Sequence, residues 1–150
     1  MNILIIGSGG REHAIAWKSA QDDYVKKVYV CPGNAGTYLE NKVSNINIDT
    51  TNFSLIEEFC VNKQIDLVII GPEQPLVDGM TDYLQDKGIK TFGPSKNAAQ
   101  LEGSKTFTKD FLVKNNIATR NDNFYAWRCL EALGINTNDG VVRLSLTHYN

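Results

Sequence analysis

Ile3-Leu4-Ile5-Ile6, followed directly by Gly7-Ser8-Gly9-Gly10-Arg11-Glu12-His13, decides the fold of this chain. A short aliphatic run halted by clustered glycines predicts a buried parallel strand ending in a tight turn. With no side chains at the bend, backbone N–H groups can approach an anion. The next segment, Arg11 to Gln21, has helical periodicity and directs its N-terminus at the same spot. Unpaired N–H groups and the helix dipole suit that spot to phosphate or carboxylate. The loop is not a dinucleotide fingerprint. Counting G-x-G-x-x-G from Gly7 puts Glu12 where the third glycine belongs, and a carboxylate there repels a pyrophosphate. An acidic residue would also end the second strand of a nicotinamide enzyme, where Cys31-Pro32 stands instead.

The rest of the composition narrows the class. A chain of 150 residues has room for one domain and little more. With 42% hydrophobic and 21% charged residues, it has an ordinary globular composition. A net charge of −2 and a pI near 5.6 give no pull toward nucleic acid or an anionic membrane. Cys31, Cys60 and Cys129 are scattered, which fits reduced thiols rather than a disulfide framework or a zinc site. The N-terminus has no basic segment of a signal peptide, and no apolar stretch approaches the roughly 20 residues of a membrane helix. A cytoplasmic location is expected. Nothing sets an oligomeric state.

Strand and helix signals alternate to about residue 116. Strands are predicted at Ile3–Ile6, Val28–Val30, Ile46–Ile48, Leu67–Ile70 and Lys90–Phe92. Leu55, Ile56, Phe59 and Cys60 form a helical apolar face with Glu57 and Glu58 outward. Val77, Met80 and Leu84 predict a further helix closed by Gly88, and Phe107 and Phe111 one capped by Ser104. Near-continuous apolar strands alternating with helices predict an α/β fold, a parallel sheet with helices on both faces. Pro32, Pro72, Pro75 and Pro94 follow strands at the carboxyl edge, where open α/β sheets bind ligands. Beyond residue 116 the pattern gives one helix, about 124–133, closed by Gly134, and one alternating strand, about 141–149.

Four loops converge on that edge. Beside the glycine loop are Cys31-Pro32-Gly33-Asn34-Ala35-Gly36, Gly71-Pro72-Glu73-Gln74-Pro75-Leu76-Val77 and Phe92-Gly93-Pro94-Ser95. Gly33 and Gly36 allow close approach, and Asn34 both donates and accepts, as ribose or phosphate recognition needs. Arg11 opposes the dipole at a helix start, which favours anion binding over a solvated role. Other residues admit two readings. Gly7, Gly9 and Gly10 serve a ligand or only a turn. Glu12 contacts a ligand or complements the dipole. Glu73 accepts from a ligand hydroxyl or amine, or caps a helix beginning near Pro75. His13 is an acid–base group or structural. Lys105, by physics alone, is an ordinary exposed lysine.

The stretches I-G-S-G-G-R-E-H-A-I-A-W-K, C-P-G-N-A-G-T, I-D-L-V-I-I-G-P-E-Q-P-L-V-D-G and F-G-P-S-K-N-A-A-Q-L-E-G-S-K-T-F-T-K-D-F span residues 1 to about 116. Together they closely resemble the N-terminal domain of the phosphoribosylamine–glycine ligase family. The resemblance implies a Rossmann-like, pre-ATP-grasp domain of an ATP-grasp ligase of purine synthesis. In such a ligase ATP phosphorylates the glycine carboxylate, and the amine of phosphoribosylamine attacks the acyl phosphate. Magnesium neutralises the nucleotide phosphates. It further implies that Gly9, Gly10, Arg11 and Glu12, with Pro32, Gly33 and Asn34, hold the phosphoribosyl group. Glu73 would lie near the ribose or amine, and Lys105 would reach toward ATP phosphates. No catalytic or metal-ligating residue is assigned.

Residues 117–150 depart from that pattern. Through R-N-D-N-F-Y-A, L-G-I and G-V-V-R-L-S-L-T-H-Y-N they resemble the C-terminal end of cysteine-desulfurase-like proteins of the class V aminotransferase fold. In that family the arginine matching Arg143 holds a substrate carboxylate, beside a pyridoxal-phosphate domain not seen here. The expected organisation is therefore a domain over 1–116 and a foreign-looking helix–strand tail over 117–150, a chimera. Lacking the ATP-grasp module, the chain is expected to be inactive alone and to bind neither ATP nor magnesium; the alternatives are a module that binds a small-molecule phosphoribosyl ligand, or a non-functional chimeric fragment.

Overall fold

The computed structural model describes residues 1–115, 117, 120–122, 127–132, 134 and 141–143. The chain divides into two units, Met1–Gly103 and Ser104–Asn150. In the first, β1 (Asn2–Gly7) leads into α1 (Gly10–Ala20), β2 (Lys27–Pro32) into the short α2 (Ala35–Tyr38), and β3 (Val43–Asn45) into α3 (Phe53–Asn62). β4 (Leu67–Ile70) is followed by α4 (Glu73–Asp78) and α5 (Met80–Asp86), and β5 (Thr91–Phe92) by α6 (Lys96–Gly103). The strands form one parallel sheet in the order β3-β2-β1-β4-β5. This is the α/β sheet the sequence predicts.

Strand residues alternate between two cores. Leu4 and Ile6 of β1, with Val68 and Ile70 of β4, pack against Ile56 and Cys60 of α3 and Met80 and Leu84 of α5. Ile3 and Ile5, with Val28 and Val30 of β2, pack against Ala16 of α1 and against Val25 and Val43. Burial on both faces explains why these strands are near-continuous aliphatic runs. The Cys31 and Cys60 thiols are free and buried. Burial raises both above the usual thiol range, Cys60 to about 11. Among the described residues no helix is long and apolar enough to cross a membrane.

Four local expectations are corrected. The third strand is Val43–Asn45 rather than 46–48. Val43 is buried opposite Val28, while Ile46 keeps one ladder bond, donating its N–H to Val30 O at 2.9 Å. The chain then leaves the sheet, and Ile46 and Ile48 reach the core from a loop. The Val77–Met80–Leu84 helix is broken into α4 and α5, because Gly79 adopts φ 99° between them. Gly88, at φ 76°, does follow the end of α5 as expected. On α3, Leu55 is exposed and Glu57 is not simply outward, since it accepts from the Tyr83 hydroxyl at 2.6 Å and lies 3.7 Å from Lys87 Nζ. Finally, the helix expected near Pro75 begins at Glu73, with Pro72 as its N-cap.

In the second unit, α7 (Lys105–Lys114) precedes β6 (Arg120–Asp122), α8 (Trp127–Ala132) and β7 (Val141–Arg143). Ser104 caps α7 as predicted, accepting from the Phe107 N–H at 3.2 Å. The Phe107 and Phe111 rings stack with centroids 6.2 Å apart. β6 and β7 pair antiparallel, Arg120 opposite Arg143. Of the helix expected over 124–133, residues Trp127–Ala132 are helical. Of the strand expected over 141–149, Val141–Arg143 is a strand and 144–149 lie outside the described residues.

Since Leu4 is fully buried in the central strand, Leu4→Ala should cost about 2–5 kcal/mol of unfolding free energy. Urea denaturation measures this; a loss under about 1 kcal/mol would contradict the packing described.

Candidate functional site

Register brings the loops of the first unit to a shared edge. Gly7 stands opposite Pro32, and Ile6 opposite both Cys31 and Ile70, so β1, β2 and β4 end nearly level. The chain builds outward from β1 through β2 to β3, then restarts on the other side of β1 with β4 and β5. Between β1 and β4 it therefore has a topological switch point. In sheets of this kind a crevice opens there, outside the carboxyl ends of the strands, and receives ligands. The loops after β1 and β4 are its two walls.

The first wall starts α1. Gly9 is its N-cap, and Glu12, one turn in, reaches back to accept the Gly9 N–H through Oε2 at 2.7 Å. This is half of a capping box, and it places a carboxylate at the positive end of the helix dipole. Glu12 is buried, whereas Arg11 beside it is exposed. At Gly10 an added Cβ would meet nothing within 4 Å. The second wall is Gly71-Pro72-Glu73, where Glu73 is the exposed first residue of α4.

Arg11 spans the two walls. Its Nη2 donates to Glu73 Oε1 at 3.1 Å. Glu73 is held below the usual carboxylate range first by its own backbone N–H and then by Arg11. The Arg11 guanidinium is pushed up chiefly by its hydrogen bond to Glu73. Both side chains are largely in solvent, so the pair fixes geometry more than it adds stability.

The loop after β2 is tied to the first wall by Asn34. Its Nδ2 donates to Ser8 O at 2.8 Å, while its Oδ1 accepts the Thr37 N–H at 3.0 Å as the N-cap of α2. The side chain expected to recognise ribose or phosphate is thus engaged in joining loops. Thr37 and Asn45 complete the arrangement: the Thr37 hydroxyl bonds Asn45 Oδ1 at 2.7 Å, and Asn45 Nδ2 donates to Asn34 O at 2.7 Å. Gly33 needs to be glycine, since φ is +75° and a Cβ would stand 2.3 Å from Asn45 Oδ1. The roles of Thr37 and Asn45 were missed from sequence. Asn-x-x-Thr at 34–37 carries the capping-box spacing that signals Thr37; Asn45 has no local signal.

The predicted residues therefore divide. Gly9, Gly10, Arg11, Glu12, Pro32, Gly33, Asn34 and Glu73 lie on the linked loops of the first unit. Lys105 belongs to the second unit, exposed at the first position of α7. His13 Nε2 lies 2.9 Å from Glu40 Oε1, a pairing compatible with either of its two readings. A shallow cavity of about 350 Å³ lies at the opposite, amino edge of the sheet, lined by Met1, Asn2, Lys26, Gln64 and Asp66. It has neither glycine loops nor a helix start pointing into it.

The contact between Arg11 and Glu73 responds to pH. Glu73 has a lowered pKa, so its contact with Arg11 is present at neutral pH and is lost as pH falls through that lowered value. The carboxyl carbon of Glu73, followed by NMR, should titrate below the usual carboxylate range. In Arg11→Ala the midpoint should rise part of the way back, and an unmoved midpoint would mean the ion pair does not form in solution.

Known proteins resemble this chain in sequence and in fold. The family model described as phosphoribosylglycinamide synthetase, N domain, matches residues 1–102. The phosphoribosylamine–glycine ligase of Haemophilus influenzae is 60% identical over 119 residues, 79% of this chain and 28% of that protein. The chain thus spans little more than a quarter of such relatives' length, 28% also for the Vibrio cholerae ligase, which is 57% identical. Among solved structures, phosphoribosylglycinamide synthetase from Anaerococcus prevotii has a TM-score of 0.54 at 17% identity, covering 90% of this chain and 35% of that one. The biotin carboxylase domain of Hydrogenobacter thermophilus 2-oxoglutarate carboxylase, solved with MgADP, ADP and bicarbonate, has a TM-score of 0.56 at 14% identity, covering 89% and 33%. These last two likenesses are of fold.

Proposed function

This chain belongs to the phosphoribosylglycinamide synthetase N-domain family, and from that membership we propose that its carboxyl edge binds the phosphoribosyl substrate of a phosphoribosylamine–glycine ligase. The observation that carries the reading is the switch point between β1 and β4, where Arg11 of one loop bonds Glu73 of the other. The start of α1 offers the backbone N–H groups of its first turn to a phosphate. Arg11 adds a mobile cation that a phosphate can draw from Glu73, and a phosphate dianion outbids a single carboxylate for a guanidinium fork. Glu73, once released, is free to accept from ribose hydroxyls or from the amine. Pro32, Gly33 and Asn34 shape the third side of the pocket, held to the first loop through Ser8.

The ligase reaction needs more than this edge. Phosphorylating glycine with ATP and magnesium falls, in this reading, to the further length of the relatives. Among the described residues no group of three or more His, Cys, Asp or Glu side chains is placed to hold a metal ion. Lys105 is our candidate to meet nucleotide phosphates, as an exposed cation at the start of α7. The 150 residues act as a binding module in the cytoplasm, with the substrate site on the first unit, Met1–Gly103.

Titration calorimetry with glycinamide ribonucleotide tests the proposal on the chain itself. Binding is expected, with no product from ATP, glycine and phosphoribosylamine. Arg11→Ala should weaken binding by roughly tenfold or more, about the worth of one charge-assisted hydrogen bond. Gly10→Ala gives a sharper test. Open space surrounds that position, and alanine suits a helix better by about 0.5–1 kcal/mol, so the variant should be folded and slightly stabilised. Its affinity should nevertheless fall, because the new methyl group occupies the ligand's approach. Absence of heat at millimolar ligand, or unchanged affinity in both variants, would refute the site.

A further inference from the structure

We propose that Glu12 is a positioning residue: its side chain fills a slot left by three glycines and so locks the two walls of the crevice together. Its effect on ligand rests on the substrate site just proposed; the lock itself does not. A Cβ on Gly7 would stand 2.5 Å from Glu12 Cγ, one on Gly9 2.8 Å from Glu12 Oε2, and one on Gly71 2.1 Å from Glu12 Oε1. None of these distances is tolerated by a real Cβ, and in each case the obstacle is the same side chain. Gly10, by contrast, faces open space. The glycines at 7, 9 and 71 thus accommodate a protein carboxylate, and Gly10 is the one left for a ligand.

The two oxygens of that carboxylate are unequal. Oε2 accepts the Gly9 N–H at 2.7 Å. Among the described residues Oε1 is buried without a hydrogen-bond partner, and the nearest cation, Arg11 Nε, is 4.0 Å away. It lies against Gly71, in the direction where a side chain would leave the backbone. A half-satisfied buried carboxylate is costly to keep. What it accomplishes is contact between two loops from neighbouring strands, one carrying Arg11 and the other Glu73. The separation of Arg11 from Glu73 across the crevice is set beneath them by the thickness of the Glu12 side chain. Being buried, Glu12 acts on a ligand through these neighbours rather than by touching it.

A shape-complementation cycle tests the lock without any ligand. Gly71→Ala alone should lower Tm by roughly 5–10 °C, or prevent folding, because the methyl group overlaps Oε1. In the Glu12→Ala background the same substitution should cost little, since the obstacle is gone. Glu12→Asp withdraws the carboxylate by one methylene and should also relieve Gly71→Ala, which secures the cycle should Glu12→Ala fold poorly. Additive losses of Tm in both backgrounds would overturn the proposal. The positioning role is read from glycinamide ribonucleotide affinity. Glu12→Ala should lose about tenfold or more, while Glu12→Gln, which keeps the shape and the Gly9 acceptor, should stay within about threefold. A Glu12→Gln loss equal to that of Glu12→Ala would instead assign the charge a direct role and refute positioning. Failure of the wild-type chain to bind the ribonucleotide would sink the substrate site and leave the thermal cycle standing, so the two readings fail separately.

Discussion

β1 is hydrogen-bonded on both edges and buried on both faces, and the whole first unit is arranged around that fact. Its odd-numbered side chains, Ile3 and Ile5, belong to one core and its even-numbered ones, Leu4 and Ile6, to the other. No neighbouring strand can shift its register by one residue without moving its apolar side chains to the wrong layer. The ends of β2 and β4 are therefore held level with Gly7. A crevice at the switch point follows from this pairing before any functional residue is considered.

On that frame the loops are joined by few but specific contacts. Asn34 fastens the loop after β2 to the loop after β1, Glu12 lies between the loops after β1 and β4, and Arg11 crosses above to Glu73. The contacts differ in exposure, and so in permanence. Glu12 and Thr37 are buried; Arg11 and Glu73 stand in water. A rigid floor beneath an exchangeable ion pair suits a site that must hold its shape and still release its cation to an incoming phosphate.

Much of this was legible in the sequence, and the exceptions have physical causes. β1, β4, α1 and the start of α7 were readable because apolar runs, glycines and a serine cap are local signals. β3 was misplaced because Ile46 and Ile48 reach the core from outside the sheet, which periodicity does not distinguish from a strand. The break at Gly79 was hidden by apolar spacing that continues across it. At the site, sequence located the loops and named Arg11 and Glu73, but not that the two pair with each other across the crevice. From sequence the glycine loop serves a ligand or only a turn, and neither reading anticipates that the space beside Gly7, Gly9 and Gly71 is filled by Glu12. That packing depends on Gly71, distant in the chain, and no window around residue 12 contains it.

The central claim is that a phosphorylated sugar enters the crevice between β1 and β4. Backbone amide NMR of the 15N-labelled chain, titrated with glycinamide ribonucleotide, addresses it most directly. The account predicts shifts concentrated at Gly9, Gly10 and Arg11, with smaller ones at Gly33, Asn34 and Glu73. Shifts confined to the amino edge around Lys26, Gln64 and Asp66, or none at saturating ligand, would contradict it.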